Sequence, residues 1–199
     1  MAEAIPYGDE VWLSSDQHHK HKNLLHKFQP NRKAIWNTLD EMTEGLIERH
    51  NEVVKPEHIF INLGDFSYAS PQETAEIYKR LNGKGFLVKG NHDRPATNPQ
   101  HCGPLWGWIK DYHEMDIRCR KTEKAHRFCL LHFRMDRWHW MGRKSLHAHG
   151  HVHSDALQGE ARLRRFDVGC DANDCRPVSA QNLIDLANAT VFEPKEDEY

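Results

Sequence analysis

The 199-residue chain has no apolar run of membrane-spanning length, which argues against an integral membrane protein. Its opening, MAEAIPYGDEVW, lacks a basic segment followed by an apolar one. A secretory signal is therefore not expected, and the cytoplasm is the expected compartment. Neither charge is in excess. The formal net charge of −2 disfavours a broad polyanion-binding surface and leaves room only for a local basic groove. The five cysteines, Cys102, Cys119, Cys129, Cys170 and Cys175, are odd in number and form no CxxC pair. That argues against a disulfide framework or a zinc knuckle. There is no repeat, no low-complexity linker and no composition break, so residues 1–199 read as one α/β domain with a single sizeable core.

Histidine is abundant instead, with 16 residues. Four of them, His147, His149, His151 and His153, alternate in SLHAHGHVHS, where a continuous strand would put all four on one face. Abundance alone carries no function; the company these residues keep has to decide.

The first half alternates strands and helices. VWLSS (11–15) ends at Asp16. Ile35, Leu39, Met42, Leu46 and Ile47 give a helical stripe over Ala34–Glu48. HIFINL (58–63) runs into Gly64-Asp65. Ser70-Pro71-Gln72-Glu73 opens a second helix with the pattern of a capping box, and Asn82-Gly83 stops it. GFLVK (85–89) runs into Gly90-Asn91-His92-Asp93. The order β-α-β-α-β suits parallel strands. Later strands are expected at Tyr112–Cys119, Arg127–His132, Ser145–His149 and Arg162–Val168, more of them antiparallel. A last helix is expected over Ser179–Ala189, and the acidic tail EPKEDEY is expected to fray.

Three strands of the first half end in metal-type ligands: Asp16-Gln-His18, Gly64-Asp65 and Asn91-His92-Asp93. Open α/β sheets gather their sites at the carboxyl ends of strands, so groups far apart in sequence can converge. The second half adds His132 and Gly150-His-Val-His153. Carboxylate, amide oxygen and imidazole together suit borderline divalent ions, and two ions about 3.5–4 Å apart need a bridging carboxylate.

The ordered blocks DxH, GD, GNHD, H and GHxH resemble the calcineurin-like metallophosphoesterases. The likeness spans roughly residues 10–180, and the His-x-x-His-Lys-Asn loop (18–23) and Arg-Pro-Val-Ser (176–179) are similar to small, cap-less bacterial and phage-type members. The resemblance implies a two-layer β-sandwich flanked by helices, with a dinuclear site on one edge. It assigns Asp16, His18 and His153 to one metal, Asn91, His132 and His151 to the other, and Asp65 as the bridge. Mn²⁺ is the expected ion, with Fe, Zn, Ni or Mg as alternatives. A hydroxide bridging the two ions would attack phosphorus. His92 would contact a phosphate oxygen and protonate the leaving group, with Asp93 orienting its imidazole. His149 would orient a ligand.

Other residues have plainer alternatives. His21 suits a phosphate contact or a solvated loop. Arg94 and Arg176 could meet a phosphate but also suit ordinary ion pairs. Arg118, Arg120, Lys121, Arg162, Arg164 and Arg165 read as solvated strands or hairpins. The pairs Trp106/Trp108 and Trp138/Trp140 suit core or rim packing before base stacking. Gly64-Asp65 continues as FSYAS, without the VDRG of the Ser/Thr protein phosphatases of this superfamily and without that motif's arginine. Asp167 stands where small relatives often carry asparagine. The implied activity is hydrolysis of phosphodiester or phosphoanhydride bonds in a small nucleotide. A nuclease on single-stranded or damaged nucleic acid is the alternative, then a phosphomonoesterase, then a non-enzymatic binding scaffold.

Overall fold

The computed structural model describes residues 4–154 and 160–193. The strands are β1 (Val11–Ser14), β2 (Ile59–Asn62), β3 (Lys84–Val88), β4 (Ile109–Lys110), β5 (His113–Arg118), β6 (Ala125–Leu130), β7 (Leu146–His149), β8 (Arg165–Asp167) and β9 (Val178–Ser179). The helices are α1 (Pro30–Ile35), α2 (Leu39–Val53), α3 (Pro71–Lys79) and α4 (Ala180–Ala189). They form two sheets, β4-β3-β2-β1-β9 and β5-β6-β7-β8, with helices flanking them. In the first sheet β1 to β4 are parallel and β9 closes the edge antiparallel to β1.

Side-chain alternation puts the core between the sheets. Val11, Leu13, Ile61, Leu63 and Val88 from the first sheet meet Phe128, Leu130, Leu146, Ala148 and Phe166 from the second. The alternate residues Phe60 and Leu87 face outward and meet Ile47 and Ile77 of α2 and α3. Both faces of the first sheet are thus covered, as its near-continuous apolar strands require. No helix among the described residues is long and apolar enough to cross a membrane.

Several local expectations need correction. The helix expected over Ala34–Glu48 is two helices, broken where Trp36 turns extended. Thr38 Oγ1 accepts from Glu41 N at 3.1 Å and starts α2 afresh, an N-cap bond competing with continuation of the helix. Ser70 caps α3 as expected, accepting from Glu73 N at 3.2 Å, while the Glu73 carboxylate faces Lys20 at 3.5 Å. Arg162–Val168 is not one strand. Ala161–Leu163 forms a tight turn, Arg164 is left-handed, and only Arg165–Asp167 pairs. The second sheet is mainly parallel: β6-β7 and β7-β8 are parallel, and only β5-β6 is antiparallel. Residues 131–145 and 150–164 are long enough for those crossovers, and their described residues hold no α-helix. Residues 194–199 of the acidic tail lie outside the described residues.

The tryptophan pairs do not share faces. Trp106 lies in the cluster under α2 and α3, while Trp108 packs against the core between the sheets. Trp138 is buried, and exposed Trp140 is covered by Arg127 and Arg143. The basic residues are mostly engaged. Arg120 pairs with Asp9 and Glu10, Lys121 with Asp185, and Arg176 with Glu52 and Asp174. Arg164 and Arg165 are buried rather than solvated.

Candidate metal centre

The proposed ligands stand just beyond the carboxyl ends of β1, β2, β3, β6 and β7. Asp16, His18, Asp65, His151 and His153 all have positive φ, between 47° and 69°. Non-glycine residues rarely adopt this conformation, and it costs of order 1 kcal/mol or more each. Five strained residues at one sheet edge point to a function that needs these sharp reversals.

The loops are stitched together by main-chain bonds. Asp16 N donates to Gly64 O at 2.9 Å, His18 N to Asp65 O at 3.0 Å, and Gly150 N to His132 O at 3.0 Å. Gly64, at φ 99°, passes so close to Gly90 that a Cβ would lie 2.5 Å from its nitrogen. Gly150 is equally constrained, because a Cβ there would lie 2.3 Å from Asp16 Oδ2. These glycines let neighbouring loops approach closely enough for their ligands to meet.

Two groups of three ligand atoms result: Asp16, His18 and His153, and Asp65, His132 and His151. Within each group the atoms lie within 4.8 Å of one another. Asp65 Oδ2 joins the groups, 3.6 Å from His18 Nε2 and 3.5 Å from His132 Nε2. Asn91 Oδ1 lies 3.1 Å from His132 Nε2. The sequence-predicted ligands therefore converge on one centre.

The bonding of this centre fits cations. Asp16 Oδ1 is buried without a hydrogen-bond partner, and so is His18 Nδ1. His132 Nδ1 lies 2.7 Å from the Leu63 carbonyl, which can only accept, so Nδ1 carries the proton. That leaves Nε2, turned towards Asp65 Oδ2 and Asn91 Oδ1, as the atom to hold an ion. Lone pairs facing one another across a buried space repel, and a divalent ion between them makes the arrangement favourable. Burial pushes the Asp16 carboxyl up to about 6 and holds His18 far below the ordinary histidine range. In each case the charged form loses its hydration.

Asp93 and His92 differ from expectation. Asp93 does not orient the His92 ring. Its carboxylate accepts from Asp65 N at 2.9 Å, Phe66 N at 2.9 Å and Gly90 N at 2.7 Å, tying two ligand loops together. Three main-chain amides hold it more firmly than one exposed imidazole could. The ring of His92 is met by Tyr68, whose hydroxyl lies 2.6 Å from His92 Nδ1. The His92 amide donates to Asp65 Oδ1 at 2.8 Å, which hangs the exposed ring over the centre. His21 is half-buried and stacks on Tyr68 with ring centroids 3.7 Å apart. Arg94 is exposed.

The histidine run divides at Gly150. His147 and His149 lie on β7, on the face opposite Leu146 and Ala148. His147 is fully bonded, Nδ1 to Cys129 O and Nε2 accepting from Met135 N, both at 3.0 Å. His149 Nδ1 lies 3.1 Å from Gly150 O and so props the turn that carries His151, rather than a ligand ring. Asp167 fastens the next turn, accepting from Ser154 N at 3.1 Å and Gly169 N at 2.8 Å.

The chain matches the family model described as calcineurin-like phosphoesterase over residues 10–176. It belongs to that family. A calcineurin-like phosphoesterase is a metal-dependent phosphoester hydrolase in general terms, and the two ligand groups agree with the divalent ions such proteins use. An uncharacterized protein of Methanocaldococcus jannaschii is 24% identical over 183 residues, covering 89% of this chain and 90% of the relative. The crystal structure of a protein of unknown function from Aquifex aeolicus has the same fold. It superposes with a TM-score of 0.64 at 22% identity, over 88% of this chain and 98% of the other.

Sequence reading missed three residues at this calcineurin-like centre. Tyr68 lay in a stretch weighed only for an absent arginine. Arg32 and Asp171 carry no local pattern, and the bonds that join them span 139 positions.

The strain at His151 makes a separable expectation. Its side chain is exposed, and glycine adopts φ 69° freely. In metal-free protein, His151→Gly should match or exceed the parent's stability, by up to about 1 kcal/mol, while metal uptake falls. A markedly lower melting temperature for metal-free His151→Gly would contradict the assignment of strain to this position.

Proposed function

We propose that this calcineurin-like protein hydrolyses phosphodiester or phosphoanhydride bonds of a small nucleotide. The observation that carries the reading is the pair of three-ligand groups sharing Asp65 Oδ2. Asp16, His18 and His153 would hold one divalent ion, and Asn91, His132 and His151 the other, with Mn²⁺ as the working choice. Such ions supply the Lewis acidity and the charge compensation that phosphoryl transfer requires.

The protein's own groups do the rest. His92 is exposed, and its amide is pinned to Asp65. With Nδ1 engaged by Tyr68, only Nε2 remains to face a leaving oxygen, which suits proton donation there. Exposed Tyr68 and Phe133 stand on either side of the centre. Tyr68 lies 5.5 Å from the His18 ring, and Phe133 lies 4.9 Å from the His132 ring and 4.7 Å from the His151 ring. Flat, apolar faces beside a phosphate-binding centre favour a substrate with planar groups, as nucleotides have. His21, whose ring lies 5.2 Å from that of His18, and Arg94 would meet the substrate's phosphate.

Turnover of a generic aryl phosphodiester with added Mn²⁺, followed by a panel of cyclic nucleotides, dinucleotides, nucleotide anhydrides and short oligonucleotides, tests this reading. His92→Ala should lower kcat by about 10²–10⁴-fold with metal content unchanged. Loss of both metals would make His92 a structural residue instead. Tyr68→Phe removes one hydrogen bond and should lower kcat by up to about tenfold.

A further inference from the structure

The two halves of the centre are not equivalent. An imidazole ligand is oriented, and its donor strength set, by what its far nitrogen bonds. His153 Nδ1 lies 2.7 Å from Asp171 Oδ2. Asp171 is held in turn by Arg32, with Nε to Oδ1 at 2.7 Å and Nη2 to Oδ2 at 3.0 Å. Both side chains are nearly inaccessible, at 1% and 3%. The remaining guanidinium bonds run from Nη2 to Asp16 O at 2.6 Å and from Nη1 to Gln17 O at 2.7 Å. One guanidinium from α1 therefore clamps the loop that carries Asp16 and His18 to the carboxylate behind His153.

Among the described residues, no carboxylate backs the imidazoles of the other half. His132 is backed by the neutral carbonyl of Leu63. His151 and Asn91 are exposed. The His151 imidazole packs against the rings of His132 and Phe133. Its single anionic ligand is Asp65, which it shares. The first half has Asp16 in addition, fully buried with Oδ1 free.

We propose that Arg32 and Asp171 are positioning residues that make Asp16, His18 and His153 the tight, first-filled metal seat, and that the His132 and His151 seat is weaker and exchangeable. A carboxylate behind a ligating imidazole fixes the ring with Nε2 free to bind and raises its basicity. Partners of this kind are worth about 10–100-fold in metal affinity. The guanidinium donates to the carboxylate and to two carbonyls, so it fixes the position of both. The inference rests on the proposed dinuclear centre but not on any particular substrate.

The test titrates metal-free protein with Mn²⁺ alone, by calorimetry and by metal content after dialysis. Wild type should bind in two steps and keep about one ion per chain. His153→Ala should remove the tight step and His132→Ala the weak one, which assigns them. Asp171→Asn, nearly isosteric, should weaken the tight step about 10–100-fold and leave the weak step within a few-fold. A purely structural role would weaken both steps together. Arg32→Lys keeps the charge but loses the fork, and should weaken the tight step too. If circular dichroism shows Asp171→Asn unfolded, Arg32→Lys decides. Two equal steps in wild type, or a loss confined to the step that His132→Ala removes, would overturn the proposal. Stepwise binding without turnover of any phosphoester would leave it standing and defeat the proposed function.

Discussion

Asp65→Asn is expected to abolish phosphodiester turnover, with a loss in kcat/KM of about 10³-fold or more, larger than removal of a single oxyanion donor. The carboxylate has three engagements. Oδ2 faces His18 Nε2 at 3.6 Å and His132 Nε2 at 3.5 Å, and Oδ1 accepts from the His92 amide at 2.8 Å. An amide of the same shape can keep only one side of this. With its oxygen towards the His92 N–H, its NH₂ points at both imidazoles, where a shared anion is needed. Turned the other way, the N–H meets the His92 N–H, and the ring over the centre loses its anchor. The substitution also removes the one negative charge common to both seats, so metal content should fall with activity. Asp65 is only 2% exposed, and its own main-chain N–H and C=O stay bonded to Asp93 Oδ2 and His18 N whatever the side chain carries, so the fold should persist. Circular dichroism and metal content together separate this outcome from unfolding. Near-parental turnover by a folded Asp65→Asn protein would sink the dinuclear reading.

The ligands were legible because strand ends are legible. VWLSS, HIFINL and GFLVK are short apolar runs, and each stops at a polar residue with a turn-forming neighbour. In a parallel sheet those stops fall on one edge. What backs each ligand was not legible. Asp93 follows His92 directly, and adjacency suggested that it serves the ring. The chain instead turns its carboxylate to the amides of Asp65, Phe66 and Gly90, and Tyr68, 24 positions upstream of His92, takes the ring. Asp171 and Arg32 are joined across most of the chain, and nothing periodic marks either one. The second sheet was misjudged for a related reason. The described residues of its parallel crossovers hold no α-helix, so the helical pattern that normally announces a parallel pair is missing there. The apolar stripe over Ala34–Glu48 runs straight across the break that the Thr38 cap makes, so periodicity alone does not reveal it.

The buried histidines predict a steep loss of stability in mild acid. His19 is held at about 3, His50 at about 4 and His147 at about 3, in each case chiefly by burial. For His147 the bonding explains why. Nε2 accepts the Met135 amide, so protonating it breaks that bond inside the second sheet's outer layer. All three folded-state values lie below the unfolded 6.5. Their contribution is therefore complete above 6.5 and is lost as pH falls towards 4, where the unfolded chain takes up three protons that the fold refuses. Each proton is worth about 1.4 kcal/mol per pH unit. Asp16 opposes them in the metal-free protein. Burial puts its carboxyl at about 6 against an unfolded 3.8, so over the same interval the fold takes a proton that the unfolded chain does not. His18, held far below the ordinary range, refuses a further proton, so these five groups leave about three net protons, a slope of about 4 kcal/mol per pH unit near pH 5. A domain stable by about 5–15 kcal/mol loses most of its margin within a few such units. Guanidinium unfolding of metal-free protein at pH 7, 6 and 5 should show this fall, and His50→Gln should flatten it by about one proton's worth. Bound metal should steepen it, because Asp16 then stays ionised and its opposing term disappears. Stability that stays level between pH 7 and 5 would mean that these three rings are not held neutral by the fold.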